Sequence, residues 1–261
     1  MPLPTLDVAV AAYGAEGIAG VERMLLPPAE GVRYVVSWQS HEGTDTPAAL
    51  LRGDVLLLRL DGVGLSRNRN NALRRCDADI VLFADDDLEY FPESFTRVRE
   101  AFASRPDADV ILFRFAGNSR KRYPEEPCPV GLPFPKGYWV SSIETAVRRE
   151  SVGYLSFDEE MGLGAPFFTA GEDEMFVISA IKRGLRCWFE NVEICRHDGE
   201  STGIRTDIAD GTLRASGRII SIIYPRTVIP RILLKALRVS RRGKTAFPRA
   251  LRLLLQGAAA K

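Results

Sequence analysis

Long hydrophobic runs are absent from this chain. None of the apolar stretches in its 261 residues approaches the roughly 18 residues that a membrane-spanning helix needs, and the opening MPLPTLDVAV lacks the basic region of a signal peptide. Cysteine is also scarce, and Cys76, Cys128, Cys187 and Cys195 form no C-x-x-C pair. Because isolated thiols are typical of a reducing compartment, we expect a cytoplasmic protein.

Acidic residues are missing from the C-terminal end. Twelve of the 35 lysines and arginines lie within residues 211–261, which contain no aspartate or glutamate. The net charge of +1 therefore combines an acidic body with a basic tail. This asymmetry predicts that the tail meets an anionic partner, either a phospholipid surface or a phosphate-bearing substrate. A solvated helical face is the simpler alternative.

Apolar runs and helical patterns alternate along the first half of the chain. The helical patterns are IAGVERMLL, LSRNRNNALRRC and PESFTRVREAFASRPD, and EDEMFVISAIKRG follows later. Because strands buried on both faces read as continuous apolar runs, we predict an α/β fold with a mostly parallel central sheet flanked by helices. The predicted strands are Leu6–Tyr13, Val32–Gln39, Asp54–Gly62, Asp79–Asp87 and Asp109–Gly117. Residues 118–135, polar and rich in proline, are predicted to form a long loop.

Three adjacent aspartates, Asp85, Asp86 and Asp87, end the fourth predicted strand in the stretch CDADIVLFADDDLEYF. In open parallel sheets, ligands bind at the carboxyl ends of the strands. Three carboxylates there repel one another unless a cation is bound, and a hard divalent ion leaves coordination positions free for substrate phosphates. The triplet therefore predicts a metal and phosphate site, with a solvated turn of acids as the alternative.

Three segments follow one another in a fixed order: GLSRNRNNAL, DIVLFADDDLEY and LSFDEEMGLGAPFFTAGEDEMFVISAIKRGLRCWFENVEICRHDGES. Together they resemble the family 2 glycosyltransferases of the GT-A fold, over roughly residues 6–201. The resemblance implies an enzyme that transfers a sugar from a nucleotide diphosphate donor with inversion at the anomeric carbon. It also implies that Asp87 and His197 bind Mn²⁺ or Mg²⁺, and that Asp85 and Asp86 contact the donor.

The same resemblance implies that Asp173 is the catalytic base, with Glu172 beside it. A carboxylate that accepts the proton of an attacking hydroxyl contributes a factor of roughly 10² to 10⁴ to the rate. The leaving nucleoside diphosphate needs no protonation, because a metal ion offsets its growing charge. An acidic first turn that complements the helix dipole is the alternative for this pair.

Further residues of the predicted site surround this centre. Arg67 would approach the diphosphate at a helix N-terminus. Gly164 would let the backbone approach the sugar closely, and Trp139 would form a sugar platform. The end of the first strand, from Ala11 to Tyr13, would contact the donor base. A surface position for Arg67 and buried packing for Trp139 are the alternatives.

The second predicted strand departs from the family pattern at its end. Family members commonly place a pair of acidic residues there to read the donor base, whereas this chain has VVSWQ and therefore Gln39. An amide can still hydrogen-bond to a base. Uridine, and hence a UDP-sugar, remains the first expectation for the donor.

Two other functions stay open at this point. The stretch DDDLE is similar to the D-x-D-x-T/V motif of haloacid-dehalogenase-like phosphatases, although Glu89 stands where Thr or Val is expected. A membrane-associated protein that binds a cation or a glycan without catalysis is the non-enzymatic alternative. Hydrolysis of UDP-sugars, phosphatase activity and metal binding would separate the three.

We divide the chain into a GT-A domain over residues 1–205 and a basic C-terminal extension over residues 206–261. Pro225, Pro230 and Pro248 break the extension into pieces, so one continuous helix is not expected. Within RILLKALRVSRR, the pattern is typical of a helix lying in an anionic interface. Its predicted apolar side consists of Ile232, Leu233, Leu237 and Val239. Packing on the catalytic domain or on a second subunit is the alternative.

The expected partners follow from these assignments. They are a nucleotide-sugar donor and a glycan or lipid-linked glycan acceptor in polysaccharide or lipopolysaccharide assembly. An anionic membrane surface at the inner face of the cell membrane is a further candidate, through the tail. No nucleic-acid partner is expected, and homo-oligomerisation stays open.

Overall fold

A computed structural model describes residues 2–117, 121–198 and 209–260. The strands in these ranges are β1 (Leu6–Tyr13), β2 (Val32–Gln39), β3 (Val55–Leu60), β4 (Ile80–Asp85), β5 (Glu89–Tyr90), β6 (Val110–Gly117), β7 (Cys128–Val130), β8 (Thr145–Arg148) and β9 (Cys187–His197). They form one sheet in the order β3-β2-β1-β4-β8-β6-β9-β5, and β7 pairs with β9. The pairs among β3, β2, β1 and β4 are parallel, as is the pair of β6 with β9.

All five predicted strands are present, as β1, β2, β3, β4 and β6, and the predicted α/β fold class is confirmed. The expectation that each is buried on both faces is wrong for β3, because β3 is the edge strand and its side chains stay partly exposed. The predicted loop over residues 118–135 contains the short strand β7, whose Val130 is buried in the core. The chain between those positions thus contributes to the sheet.

Helices cover both faces of the sheet. In the described parts of the chain they are α1 (Gly14–Met24), α2 (Leu65–Leu73), α3 (Ser94–Ser104), α4 (Glu172–Lys182), α5 (Asp210–Ile223), α6 (Val228–Arg241) and α7 (Phe247–Ala259). The four predicted helical patterns correspond to α1 to α4. Apolar residues of α1 and α3 pack into one core cluster, and those of α2 and α4 pack into a second cluster with other sheet residues. The sheet therefore separates two hydrophobic layers.

The strand register brings distant residues to one edge of the sheet. Ala11 of β1 is paired with Asp85 of β4, and Tyr13 of β1 is paired with Gln39 of β2. Because these strands are parallel, their carboxyl ends share that edge. Residues that follow β1, β2 and β4 are therefore neighbours in space although many residues separate them in sequence.

The three C-terminal helices form a small unit with its own core. Its buried residues are Leu213, Ile232, Ala236, Val239, Ala250, Leu253 and Leu254. α5 and α7 cross very closely, because a Cβ added at Gly217 would lie 2.0 Å from the Leu254 carbonyl oxygen. α5 also packs on the rest of the chain, where Ala215 joins Met161 and Phe168 in a further apolar cluster.

The four residues predicted to form one apolar side of the tail have different surroundings. Ile232 and Val239 are buried in the three-helix core, whereas Leu233 and Leu237 are exposed. The four residues therefore do not share one side, and the expectation of a single apolar stripe is wrong. The described part of the tail forms three helices rather than one, as expected, with Pro248 at the beginning of α7. The expected break at Pro230 is wrong, because Pro230 lies in the first turn of α6, where a missing backbone N–H is tolerated.

The boundary proposed between residues 205 and 206 lies outside the described residues and stays a prediction. Within residues 2–117, 121–198 and 209–260, no helix has the length and apolar character to cross a membrane.

Candidate active site

Two adjoining cavities open at the carboxyl ends of β1, β2 and β4. The larger cavity has a volume of about 600 Å³, and its lining includes Ala11, Tyr13, Gln39, Asn68, Asp85, Asp86, Asp87 and Gly164. The smaller cavity has a volume of about 320 Å³, and its lining includes Arg69, Asp85, Asp87, Trp139, Ser142, Glu172, Asp173, Glu174 and His197. Asp85 and Asp87 line both cavities, so they lie at the junction. Cavities of this size suit small organic ligands.

Asp86 is held against the start of α1. Its Oδ2 accepts a hydrogen bond from the Tyr13 backbone N–H at 3.0 Å, and burial raises its pKa to about 6. The close contact depends on two glycines, because an added Cβ would lie 2.1 Å from Asp86 Oδ2 at Gly17 and 2.0 Å from the Asp86 carbonyl oxygen at Gly20. Asp86 therefore fixes the aspartate loop to α1 as well as lining the larger cavity.

Asp87 is paired with His197 at the end of β9. Asp87 Oδ2 lies 3.0 Å from His197 Nε2, and their hydrogen bond lowers the pKa of Asp87 and raises that of His197. Neighbouring ligands of an octahedral ion with bonds of about 2.1 Å lie about 3.0 Å apart, so this separation fits two ligands of one divalent cation. Asp87 is 57% exposed, which leaves room for phosphate oxygens on the same ion.

Arg69 of α2 joins three carboxylates from distant parts of the chain. Its Nη1 donates to Asp173 Oδ1 at 2.8 Å and to Glu172 Oε1 at 3.1 Å. Its Nη2 donates to Asp85 Oδ1 at 2.7 Å. The side chain is only 2% exposed, and burial opposes its charge, yet the carboxylates outweigh this effect and raise its pKa. One buried cation thus positions the Glu172–Asp173 pair relative to the end of β4.

Sequence reasoning missed this role, because it assigned no function to Arg69. A signal was present in the composition of the helix. The buried residues of α2 are Ser66, Asn68, Arg69, Asn70 and Ala72, four of them polar. A helix that packs on the sheet and offers so few apolar residues must bury polar ones, and buried polar groups need partners.

The acids at the start of α4 occupy a poorly solvated region. Burial, reinforced by the charge of Asp173, raises the pKa of Glu172 to about 7. Burial and the charges of Asp173 and Glu172 raise the pKa of Glu174 to about 7. Burial also raises the pKa of Asp173, although Arg69 opposes it. Because one guanidinium faces several carboxylates, a bound divalent cation would relieve a local excess of negative charge.

A short 3₁₀ turn, Ser142–Glu144, orients Asp173 from its other side. Asp173 Oδ2 accepts a hydrogen bond from the Ser142 backbone N–H at 2.9 Å. Glu144 in this turn is fully buried and pairs with Lys121 Nζ at 2.5 Å, and two tyrosine hydroxyls also donate to it. Both oxygens of Asp173 are therefore fixed, while each keeps a second lone pair for a substrate hydroxyl.

The loop with Gly162 and Gly164 packs against α2 and α4. Gly164 has φ +91°, and an added Cβ would lie 3.0 Å from Gly64 Cα. Gly162 has φ +101°, and an added Cβ would lie 3.1 Å from Glu172 Cδ. Both positions therefore need glycine for the contact of this loop with the protein itself. The predicted approach of Gly164 to a sugar stays a prediction, and the residue does line the larger cavity.

Two buried amides in the larger cavity carry unpaired polar atoms. Gln39 and Asn68 are each 1% exposed, and Asn68 Nδ2 donates to the Ala12 carbonyl oxygen at 2.9 Å. Among the described residues, neither Gln39 Nε2 nor Asn68 Oδ1 has a hydrogen-bond partner. Since an unpaired buried donor or acceptor costs free energy, the cavity is suited to a polar ligand. Ala11 and the exposed ring of Tyr13 line the same cavity.

Arg67 is the predicted site residue that lies outside both cavities. It is exposed on α2, and its guanidinium lies beside Gly62. Its contact with a diphosphate stays a prediction. Trp139, in contrast, lines the smaller cavity with a partly exposed ring, so that ring is open to a ligand.

A separate group of possible ligands lies beyond the ends of β2 and β3. His41, Glu42 and Asp61 place one ligand atom each within 4.8 Å of one another, the one such group in the part of the chain that the structure describes. None of the three lines either cavity, and Glu42 and Asp61 are exposed. This group is therefore distinct from the predicted site at Asp87 and His197.

A family model described as Glycosyl transferase family 2 matches residues 39–148. The matched segment contains α2, the three adjacent aspartates and the turn that binds Asp173. Residues 39–148 are therefore similar to the family 2 glycosyltransferases. The predicted resemblance is confirmed on this point. No curated protein matches the chain.

Solved structures of TarS from S. aureus have the same fold as this chain. TarS 1-349 matches with a TM-score of 0.60 and 17% identity, covering 98% of this chain and 92% of that one. Its complex with UDP-GlcNAc matches with a TM-score of 0.59 and 16% identity, covering 96% and 90%. The complex with UDP matches with a TM-score of 0.59 and 18% identity, covering 98% and 92%. The family match and the GT-A fold together indicate a glycosyltransferase, so the predicted enzyme class is confirmed.

Proposed function

We propose that this chain is a metal-dependent inverting glycosyltransferase that moves a sugar from a UDP-sugar to a glycan acceptor. The proposal rests on the distribution of the predicted site residues between the two cavities. The larger cavity collects the residues predicted for the donor, apart from Arg67, together with Gly164. The smaller cavity collects Glu172, Asp173, His197 and Trp139, and Asp85 and Asp87 line both. The reacting atoms would meet at that junction.

Asp173 would act as the base. The acceptor hydroxyl gives its proton to the Asp173 carboxylate as the hydroxyl oxygen forms a bond to the anomeric carbon. The bond from that carbon to the diphosphate oxygen breaks on the opposite face, so the configuration inverts and the nucleoside diphosphate leaves with the electron pair. Arg69 and Ser142 hold the carboxylate in one orientation during this transfer, which is the positioning that such catalysis requires.

Asp87 and His197 would hold the metal ion, with Mn²⁺ or Mg²⁺ as the candidates. A carboxylate oxygen suits both ions. The distance of 3.0 Å between Asp87 Oδ2 and His197 Nε2 supports coordination of one ion by both residues. When bound, such an ion offsets the negative charge that grows on the leaving diphosphate. The exposed side of Asp87 would face those phosphates.

A uridine donor is supported by two observations. The related fold of TarS 1-349 is known with UDP-GlcNAc and with UDP. In this chain, Gln39 and Asn68 offer an unpaired donor and an unpaired acceptor in the larger cavity, the two kinds of group that a uracil edge can satisfy.

The acceptor is proposed to be a glycan or a lipid-linked glycan of cell-surface polysaccharide or lipopolysaccharide, used in the cytoplasm. Trp139 beside Asp173 in the smaller cavity supports a sugar acceptor, since aromatic faces pack against sugar rings. The GT-A fold and the family match favour this function over the phosphatase and the non-enzymatic alternatives.

The proposal is tested by a screen of UDP-, GDP-, ADP- and dTDP-sugars with and without Mn²⁺. Calorimetry would measure the affinity for each donor, and release of the nucleoside diphosphate would measure turnover. We expect UDP-sugars to bind, with Mn²⁺ tightening the binding. Full turnover in excess chelator would contradict the metal assignment, and binding of another base alone would contradict the uridine assignment.

A further inference from the structure

α6 carries a second apolar row that the protein leaves uncovered. Ile232, Ala236 and Val239 face α5 and α7, as described above. The second row consists of Ile229, Leu233, Leu234 and Leu237, and these side chains are between 38% and 56% exposed. Ile229, Leu233 and Leu237 follow one another at intervals of four residues, so they share one side of the helix. We refer to these four residues as the exposed α6 row.

Cations border the exposed α6 row. Arg238 and Arg241 follow Leu234 by four and seven residues, which places them beside it on the helix surface. Arg226 precedes α6 and Arg242 follows it, and all four arginines are exposed. Within the described ranges, no carboxylate lies at ion-pair distance from any of these four guanidinium groups. No acidic residue occurs from position 211 onward. The surface is therefore apolar and cationic at once.

We propose that the exposed α6 row and its bordering arginines dock on an anionic lipid surface. A helix with apolar residues on one side and cations beside them lies in the interface of such a bilayer, where both kinds of side chain are satisfied. Each lysine or arginine near the surface strengthens binding about fivefold. Four arginines and four large apolar side chains thus suffice for reversible, salt-sensitive attachment, without a spanning helix.

A second copy of the chain is a poorer occupant of this surface. In a two-fold dimer the same patch lies on both subunits, so pairing of the exposed α6 row would bring the bordering arginines of one copy towards those of the other. Like charges brought together in this way repel. An anionic bilayer complements the same charges.

α6, the helix that carries this row, also reaches the acceptor side of the site through Arg231. Ile223, Tyr224 and Arg231 line a cavity of about 430 Å³ together with Trp139 and Glu174. Trp139 and Glu174 line the smaller cavity with Asp173 as well. Docking through α6 would therefore bring a lipid-linked acceptor close to Asp173. Only this use of the surface rests on the proposed function; binding to lipid does not.

The test is flotation of the full chain with vesicles of phosphatidylcholine, with and without phosphatidylglycerol, at low and high salt. We expect the protein to float with the anionic vesicles at low salt and to be released by high salt. Leu233→Asp combined with Leu237→Asp should weaken binding about 25-fold or more, because two charges of the wrong sign are added. The matched control is Leu51→Asp, at another exposed leucine far from α6 in the sequence, and it should bind like the wild type.

A second pair of variants separates charge from apolar contact. Arg238→Gln combined with Arg241→Gln should weaken binding about 25-fold, whereas Arg74→Gln combined with Arg75→Gln, at exposed positions on the C-terminal side of α2, should not. Donor hydrolysis without vesicles should be unchanged in all four variants, which separates failure of docking from failure of the transferase assignment. The proposal is wrong if the wild type ignores anionic vesicles at low salt. It is also wrong if the wild type is a dimer that the leucine variant dissociates.

Discussion

Replacing Arg69 by methionine would leave three carboxylates around a buried site without their shared cation. Methionine keeps much of the side-chain volume but offers no donor to Asp85, Glu172 or Asp173, which Arg69 contacts at 2.7, 3.1 and 2.8 Å. Removing one partner from a buried ion pair costs roughly 3–5 kcal/mol. Because Arg69 is 2% exposed, water cannot replace the lost contacts, and we expect a loss in this range at neutral pH.

The loss should depend on pH with a definite sign. The pKa of Glu172 is already raised to about 7 from an ordinary value of 4.5, so the folded state binds more protons than the unfolded chain between those values. Without Arg69, the strongest interaction that opposes the effect of burial is lost, and the folded-state pKa values of Glu172 and Asp173 rise further. The unfolding free energy of Arg69→Met should therefore fall more steeply than that of the wild type as pH rises above about 4.5.

Urea denaturation of both proteins at about pH 5 and about pH 8 measures this effect. The difference in unfolding free energy should be small at the lower pH, where protons can replace the arginine, and several kcal/mol at the higher pH. Arg69→Lys should lie between the two, because one ammonium cannot reproduce the forked contacts of a guanidinium. Equal stability of Arg69→Met and the wild type at the higher pH would refute the reasoning.

Three other predictions follow from single positions. Gly164→Ala forces a residue with a side chain into φ +91° and should lower the unfolding free energy by about 1–2 kcal/mol in urea denaturation. The control Gly53→Ala should leave the unfolding free energy unchanged, because a Cβ added there meets nothing within 4 Å. Asp87→Ala should abolish the tightening of UDP binding by Mn²⁺ in calorimetry, and a variant that still responds to Mn²⁺ would exclude this ligand. Wild-type stability should fall as pH rises from about 4.5 towards about 7, because the folded-state pKa of Glu174 is raised, and Glu174→Gln should flatten this fall.

Much of the sheet was accessible from the sequence because its strands are buried on both faces. β1, β2, β4 and β6 read as continuous apolar runs, and their existence needed no knowledge of their neighbours. β8 was not predicted. It is only four residues long and lies antiparallel between β4 and β6, so its place depends on contacts that no local pattern records.

The site was partly accessible for a similar reason. The aspartate triplet follows a buried strand directly, and parallel topology alone places such residues at the ligand edge. The partners of Asp173 were not accessible, because Arg69 lies 104 residues away and Ser142 lies 31 residues away in the sequence. The prediction for the tail failed for a different reason. α6 has apolar residues on two sides, and the prediction assigned residues from both sides to one apolar side.

The central claim is that Asp173 accepts the proton of the acceptor in a transfer from a UDP-sugar. The most direct measurement compares the wild type with Asp173→Asn, using release of UDP for turnover and calorimetry with UDP and Mn²⁺ for donor affinity. We expect donor affinity close to that of the wild type and turnover lower by a factor of about 10² to 10⁴. Near-normal turnover in Asp173→Asn would contradict it.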